Sequence, residues 1–340
     1  MNINNEDPLG TQPRNGGAFL PPDTLPSNLS VYLRKLIAES GGLNGPIGKQ
    51  FIPQKKLESQ PGPTDPLIED QHLVAPGLVY KYPGRALWLV TKFCNSYCRF
   101  CTRGREVGSR QMPSFLTDQQ IQETLSFLDR KTEVEEIILS GGDPLTTPCQ
   151  YLSKIIEPLA ERQKRGQIEI IRIGTRLPVV DPGAIKDWHY QLLSRIKNPY
   201  LMVHINHPSE LTDKTIKVLN NFRQRSNALV LSQTVLLKGV NDSQETLIEL
   251  FNKMTREGIR PYYLFQNDPV CWAKHFTVPV QKAIRLWQGL RPQLSGLSAT
   301  ARFVIDAPFG FGKIVVPEGN SWQFNPNFFH DFKGNKIPLV

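Results

Sequence analysis

The chain has 340 residues, 39% of them hydrophobic, and a formal net charge of +9. That length can bury a large core in one barrel-sized domain or two modest ones, which excludes disorder throughout. Lys and Arg are spread along the chain with no arginine-rich tail, so the excess reads as a solvated basic surface and no nucleic-acid partner is expected. The longest apolar run, Ala86 to Val90, is far below the roughly 20 residues a membrane helix needs. The opening Met1 to Asp7 has neither a basic start nor an apolar run. No membrane partner is expected, and the chain reads as cytoplasmic.

In chain order, residues 1–65 form an extension rich in Gly, Pro, Asn and Gln, with one helical stretch near Ser30 to Ile37. From Lys81 onward, short apolar β-branched runs alternate with helical patterns. The expected strands are 86–91, 136–140, 169–174, 201–205, 229–236 and 262–266, each nearly continuous in apolar residues as buried parallel strands should be. Between them Ile121, Leu125 and Leu128 share a helix face behind a Thr117-x-x-Gln120 capping box. Leu247, Leu250, Phe251 and Met254 do the same ahead of a stop at Gly258. Six strand-then-helix units predict an α/β fold, a partial (β/α)6 TIM-like barrel whose site lies beyond the C-terminal ends of the strands.

Immediately after the first of these strands come Cys94, Cys98 and Cys101, in a C-x-x-x-C-x-x-C spacing. Three thiolates on one short loop can hold three irons of a 4Fe-4S cubane and leave the fourth iron open. An open iron suits chelation of the amino and carboxylate groups of S-adenosylmethionine, so that electron delivery can cleave its C–S bond. A zinc knuckle would need a fourth Cys or His, and none sits at finger spacing. Five cysteines of which three fall within eight positions speak for ligation in a reducing compartment; Cys149 and Cys271 read as structural thiols. The second strand runs into Ser140-Gly141-Gly142-Asp143, where paired glycines admit a ligand close to the backbone and Asp143 could accept from its ammonium.

These features resemble the radical S-adenosylmethionine superfamily, with a partial barrel as its fold. Further segments resemble its lysine 2,3-aminomutase family: Asp65-Pro66-Leu67 through Pro76-Gly77-Leu78, Lys81-Tyr82-Pro83-Gly84-Arg85, Cys98-Arg99-Phe100-Cys101-Thr102-Arg103, Leu139-Ser140-Gly141-Gly142-Asp143, Arg172-Ile173-Gly174-Thr175-Arg176, His204-Ile205-Asn206-His207-Pro208, Gln233 to Asp242, Arg260-Pro261-Tyr262-Tyr263 and Val304-Ile305-Asp306-Ala307-Pro308. The resemblance runs from about residue 46 to about residue 316. It implies that Lys313 forms the Schiff base with pyridoxal 5'-phosphate, that Lys81, Tyr82 and Arg85 bind that cofactor, and that His204 and Gln233 face S-adenosylmethionine. It also implies that Arg103 grips the substrate carboxylate, and that Asp268 and Asp306 receive the distal ammonium of lysine. The expected domains are the extension (1–65), the barrel (66–290) and a short C-terminal segment (291–340) carrying Lys313.

The activity so implied is an isomerase that moves the 2-amino group of L-lysine to carbon 3, giving β-lysine, with a flavodoxin or ferredoxin as electron donor and a homo-oligomeric assembly. A β-lysine-forming enzyme for elongation factor P, a 2,3-aminomutase for another amino acid and a non-enzymatic iron–sulfur electron-transfer protein are the alternatives. Phe309, Phe311 and Phe265 depart from the family pattern, where glycines and a tyrosine are usual, and Gly104 replaces an arginine. Ser243 stands where longer members have a zinc-binding cysteine, and with no C-terminal cysteines before Val340 no zinc site is expected.

Overall fold

The computed structural model describes residues 25–108, 114–307, 312–316, 328–330 and 336–338. Ten strands form one open sheet in chain order. They are β1 (Leu73–Ala75), β2 (Leu78–Tyr82), β3 (Arg85–Thr91), β4 (Glu136–Gly141), β5 (Ile170–Thr175), β6 (Tyr200–His204), β7 (Leu229–Leu236), β8 (Arg260–Gln266), β9 (Arg302–Ala307) and β10 (Gly312–Val315). From β3 to β9 each strand lies parallel to the next, while β1–β2–β3 and β9–β10 are antiparallel edges.

The six expected strands are all present, with ends shifted by no more than two residues. β9 lengthens the parallel series by one strand. It was not read from the sequence, although Phe303, Val304 and Ile305 are a β-branched and aromatic run. The segment after residue 290 therefore completes the sheet, and β10 returns alongside β9 with Lys313 opposite Asp306.

Helices follow each parallel strand from β3 to β8: α4 (Asp118–Arg130), α5 (Cys149–Lys164), α6 (Leu177–Val180) with α7 (Asp187–Leu193), α8 (Asp213–Ser226), α9 (Gln244–Arg256) and α10 (Val280–Leu290). Their starts obey local chemistry. Thr117 and Gln120 form the expected capping box on α4. Ser243 caps α9 by accepting from the Thr246 N–H, so the position compared with a zinc cysteine is here a helix start. Ile121, Leu125 and Leu128 of α4, and Leu247, Leu250, Phe251 and Met254 of α9, are buried against the sheet as their periodicity predicts.

Burial alternates along the strands. On β4 and β5, Ile137, Leu139, Ile171 and Ile173 are fully buried beneath the helices, and the residues between them face the other way. That second set, Ser140, Gly174, His204, Gln233 and Phe265 among them, lines a cavity on the concave face.

The N-terminal extension is part of this core. α1 (Val31–Glu39) and α2 (Pro46–Phe51) contribute Leu33, Leu36, Ile37, Ile47 and Phe51 to the main hydrophobic cluster. Just after them, Glu58 of α3 (Lys55–Glu58) forms a bidentate ion pair with Arg99, whose remaining donors reach the carbonyls of Leu25 and Pro26. Arg99 lies between two of the loop cysteines and is 0% exposed, so this pair ties the cysteine loop to the extension. Breaking a buried pair by removing one partner costs about 3–5 kcal/mol. We expect Glu58→Ala to lower unfolding free energy by that amount in urea titrations, while Glu39→Ala, on an exposed ion pair with Lys35, changes it by less than about 1 kcal/mol.

Candidate active site

One cavity of about 390 Å³ opens at the C-terminal ends of the parallel strands. Its walls include Cys94, Cys98 and Cys101 together with Lys313, so the cysteine loop and the last strand border the same space. The loop leaves β3 and folds back across the end of β4. There the Gly142 N–H donates to Thr91 O at 2.6 Å and the Asp143 N–H donates to Phe93 O at 2.9 Å. This contact explains the paired glycines. A Cβ at Gly141 would lie 2.1 Å from Thr91 O, and one at Gly142 would lie 2.0 Å from Phe93 O. The close approach they permit here is to the protein's own chain.

Asp143 is engaged by the protein's own chain as well. Its carboxylate is already engaged by the backbone N–H groups of Leu145, Arg176 and Leu177 and by the Thr175 hydroxyl, at 2.7–3.0 Å. It organises the strand ends and has little capacity left for a ligand ammonium. Burial pushes its pKa up against the pull of these donors.

Burial also pushes up the thiols of Cys94 and Cys101, the latter to about 11, with neighbouring thiolate charge adding to the effect. Such thiols ionise when a metal compensates the charge, which suits a ligand role. Among the described residues no three His, Cys, Asp or Glu side chains converge as a single-ion site. A cubane is larger than one ion, and the three cysteines all line the one cavity.

Beside the cysteines stands Arg176, which the sequence reading did not single out as a site residue. Its Nη1 donates to Cys98 Sγ at 2.8 Å, and its Nη2 donates to Gln50 Oε1 at 2.6 Å and Glu210 Oε1 at 2.8 Å. His204 also lines the cavity. Burial, then the charge of Arg176, lower its pKa to about 3, so the imidazole is neutral, and its buried Nε2 has no partner among the described residues. An unpartnered buried ring nitrogen at the wall of this cavity is what a bound S-adenosylmethionine would satisfy.

At the other end, Lys313 Nζ donates to both oxygens of Asp306, at 2.6 and 2.8 Å, and sits 4.9 Å from the centre of the Phe265 ring. Tyr82 packs against the neighbouring Gly312, where a Cβ would come within 2.9 Å of the phenol oxygen. Arg85 lies 4.2 Å over the Tyr82 ring, with Lys81 on the same hairpin. This set fits pyridoxal phosphate: one lysine for the aldehyde, an aromatic ring beside it, and two cations for the phosphate.

Arg103 donates through Nε and Nη2 to Glu69, at 2.8 and 2.7 Å, leaving Nη1 3.5 Å from Ser140 Oγ. Burial would push Glu69 up, but Arg103 more than offsets it and holds the carboxyl below its usual range. Asp268 is pushed up to about 7 by burial and then by the charge of Asp306. Glu69 is a site residue that sequence reading missed. It lies within the segment from Asp65 to Leu78 that resembles the family, but no role was attached to it and no periodicity marks it. Gly104 also acquires a reason, since a Cβ there would meet Leu25 at 2.5 Å and the Trp272 ring at 2.8 Å. Phe309 and Phe311 lie outside the described residues.

A sheet parallel from β3 to β9 with a three-cysteine loop after its first parallel strand defines a class, and residues 88–251 match the radical SAM superfamily model. The chain is 37% identical over 276 residues to L-lysine 2,3-aminomutase of Clostridium subterminale, covering 80% of this chain and 64% of that protein. It is 35% identical over 320 residues to the protein of the same name from Acetoanaerobium sticklandii, covering 93% and 73%. This chain belongs to the lysine 2,3-aminomutase family of radical SAM proteins. It spans a little under two thirds of the length of the Clostridium relative. Among solved structures, Streptococcus suis SuiB bound to S-adenosylmethionine shares the fold at 16% identity and a TM-score of 0.50, covering 68% of this chain and 52% of that one.

The glycine contacts yield a test. Gly142→Ala should lose most of its iron uptake on anaerobic reconstitution with iron and sulfide, measured by iron content and visible absorbance. Gly296→Ala, where a Cβ meets nothing within 4 Å, should match the parent protein.

Proposed function

We propose that this protein is an aminomutase moving the 2-amino group of L-lysine to carbon 3 to give β-lysine, with a 4Fe-4S cluster on Cys94, Cys98 and Cys101 and pyridoxal 5'-phosphate on Lys313. The observation that carries this reading is the shared cavity: the cysteine loop and the lysine of β10 line one space, whose walls also carry Asp268, Asp306 and Arg103. When bound, the cluster with S-adenosylmethionine supplies hydrogen abstraction, and pyridoxal phosphate supplies a conjugated system that spreads unpaired spin.

The side chains divide the remaining work. Lys81 and Arg85 hold the phosphate, with Arg85 fixed over the Tyr82 ring. Burial, and then repulsion from Lys313, keep the Lys81 ammonium below its usual pKa despite the pull of Asp306, and a bound dianion relieves that. His204 and Gln233 meet S-adenosylmethionine beside the backbone of Ser140, Gly141 and Gly142; Asp143 holds those strand ends in place. Arg103, oriented by Glu69, offers Nη1, held only by a long 3.5 Å contact to Ser140 Oγ, to the substrate carboxylate.

Asp268 and Asp306 take the distal ammonium. Lys313 must leave Asp306 to reach the cofactor, so that carboxylate is open to substrate only in the loaded protein. Membrane partners are not part of this reading, and no helix among the described residues is long and apolar enough to cross a membrane.

Anaerobic incubation with S-adenosylmethionine, pyridoxal phosphate, dithionite and a panel of lysine, arginine, glutamate and a protein-borne lysine tests the assignment. β-Lysine from free lysine is expected; turnover of another member in its place overturns the substrate. Lys313→Ala should lose the protein-bound cofactor absorbance while retaining iron, and borohydride trapping on another lysine would reassign the site.

Asp268 carries the pH dependence. With a pKa raised to about 7 it is uncharged below neutrality and charged above it, so kcat/KM for lysine should rise as pH passes through 7. Asp268→Asn should abolish that rise and cost on the order of a hundredfold in kcat/KM, since an ammonium left with one partner forfeits about 3 kcal/mol.

A further inference from the structure

Arg176 is a buried cation with no assignment in the proposed reaction. Its side chain is about 5% exposed, its guanidinium lies 4.4 Å from the Phe51 ring centre and 5.2 Å from that of Phe100, and one of its donors ends on Cys98 Sγ. The other arm is held from three directions. Glu210 and Gln50 both accept from Nη2, Gln50 Nε2 donates to Glu210 at 2.9 Å, and the Asn206 amide donates to Gln50 Oε1 at 2.9 Å while its backbone N–H donates to Glu210 Oε2 at 2.6 Å. The Gln50 carbonyl also accepts from the Arg99 N–H inside the cysteine loop at 2.8 Å. A flexible side chain fixed at so many points has lost its freedom to follow the sulfur. The sulfur is held to it.

We propose that Arg176 is a positioning residue that fixes Cys98 and raises the reduction potential of the cluster this thiolate helps to hold. The inference rests on the cluster assignment made above. Hydrogen bonds to ligand sulfur and local charge are the protein's main levers on such potentials. Adding an electron makes the cluster more negative, and a cation at hydrogen-bonding distance from one of its sulfurs stabilises that state. Low local polarisability and exclusion of salt keep the effect from being screened. Glu210, on the far side of the guanidinium, offsets part of it. The two residues therefore act with opposite signs, which a purely structural role would not produce.

The test is an EPR-monitored redox titration of the reconstituted full-length protein without S-adenosylmethionine, a readout independent of turnover. Arg176→Met should lower the midpoint, with about a tenfold shift in the reduction equilibrium, equivalent to 59 mV for one electron. Glu210→Gln, which keeps the guanidinium and its bond to Cys98, should raise it. Midpoints that match the parent, or that move in the same direction, overturn the proposal. If Arg176→Met takes up no iron, Glu210→Gln decides alone: a raised midpoint supports the role, and an unchanged or lowered one ends it. A parent protein that forms no cluster defeats the cluster assignment itself, and is distinguished by the absence of any reduced-cluster signal.

Discussion

Asp143 sits 3% exposed where three strand ends meet, and its two oxygens take the N–H groups of Leu145, Arg176 and Leu177 and the hydroxyl of Thr175. The same residue's N–H, with that of Gly142, catches the carbonyls of Phe93 and Thr91 as the chain leaves β3. β3, β4 and β5 are thereby locked together at the end where the cysteine loop begins. A buried carboxylate is costly unless its lone pairs are satisfied, and here satisfying them fixes the geometry of the loop. Arg176, whose backbone serves this knot, turns its side chain to Cys98, so one residue belongs to both the frame and the proposed cluster site.

Charge within the cavity is arranged in pairs whose members are not equivalent. Glu69 holds Arg103 through two of its nitrogens and leaves the third facing the cavity. Lys313 neutralises Asp306, while Asp268 beside them is burdened by burial and by Asp306. Under the proposed function, lysine binding would draw on one carboxylate that must ionise and another that must be released by the lysine of β10. Under the proposed function, ordering the cofactor before the substrate follows from these contacts alone.

Much of the framework was legible because it obeys local rules. The period-2 burial of β4 and β5, the Thr117 capping box and the apolar stripe of α9 each depend on residues within one turn or a few positions. The cysteine triplet was legible for the same reason. What escaped was non-local. Glu69 and Arg103 are 34 positions apart, and Gln50 and Arg176 are 126 apart, so no spacing in the sequence announces either contact. Asp143 and the glycines before it were seen, but not their contacts with the chain leaving β3, because the sequence does not show that this chain returns across the end of β4. β9 was quoted as a motif, and its strand character went unread since no helical pattern followed it.

The placement of Lys313 on β10, beyond the whole parallel series, also fixes a timetable for synthesis. A ribosome delivers the cysteine loop, its arginine and the Asp143 knot long before it delivers the strand with the proposed cofactor lysine, and chain growth runs at about 5–20 residues per second. The two halves of the cavity are born in sequence. The cysteine loop can settle on a nascent sheet that still lacks β9 and β10, whereas the Lys313 end of the cavity exists only once those strands have docked against β8 and Gly312 has met Tyr82.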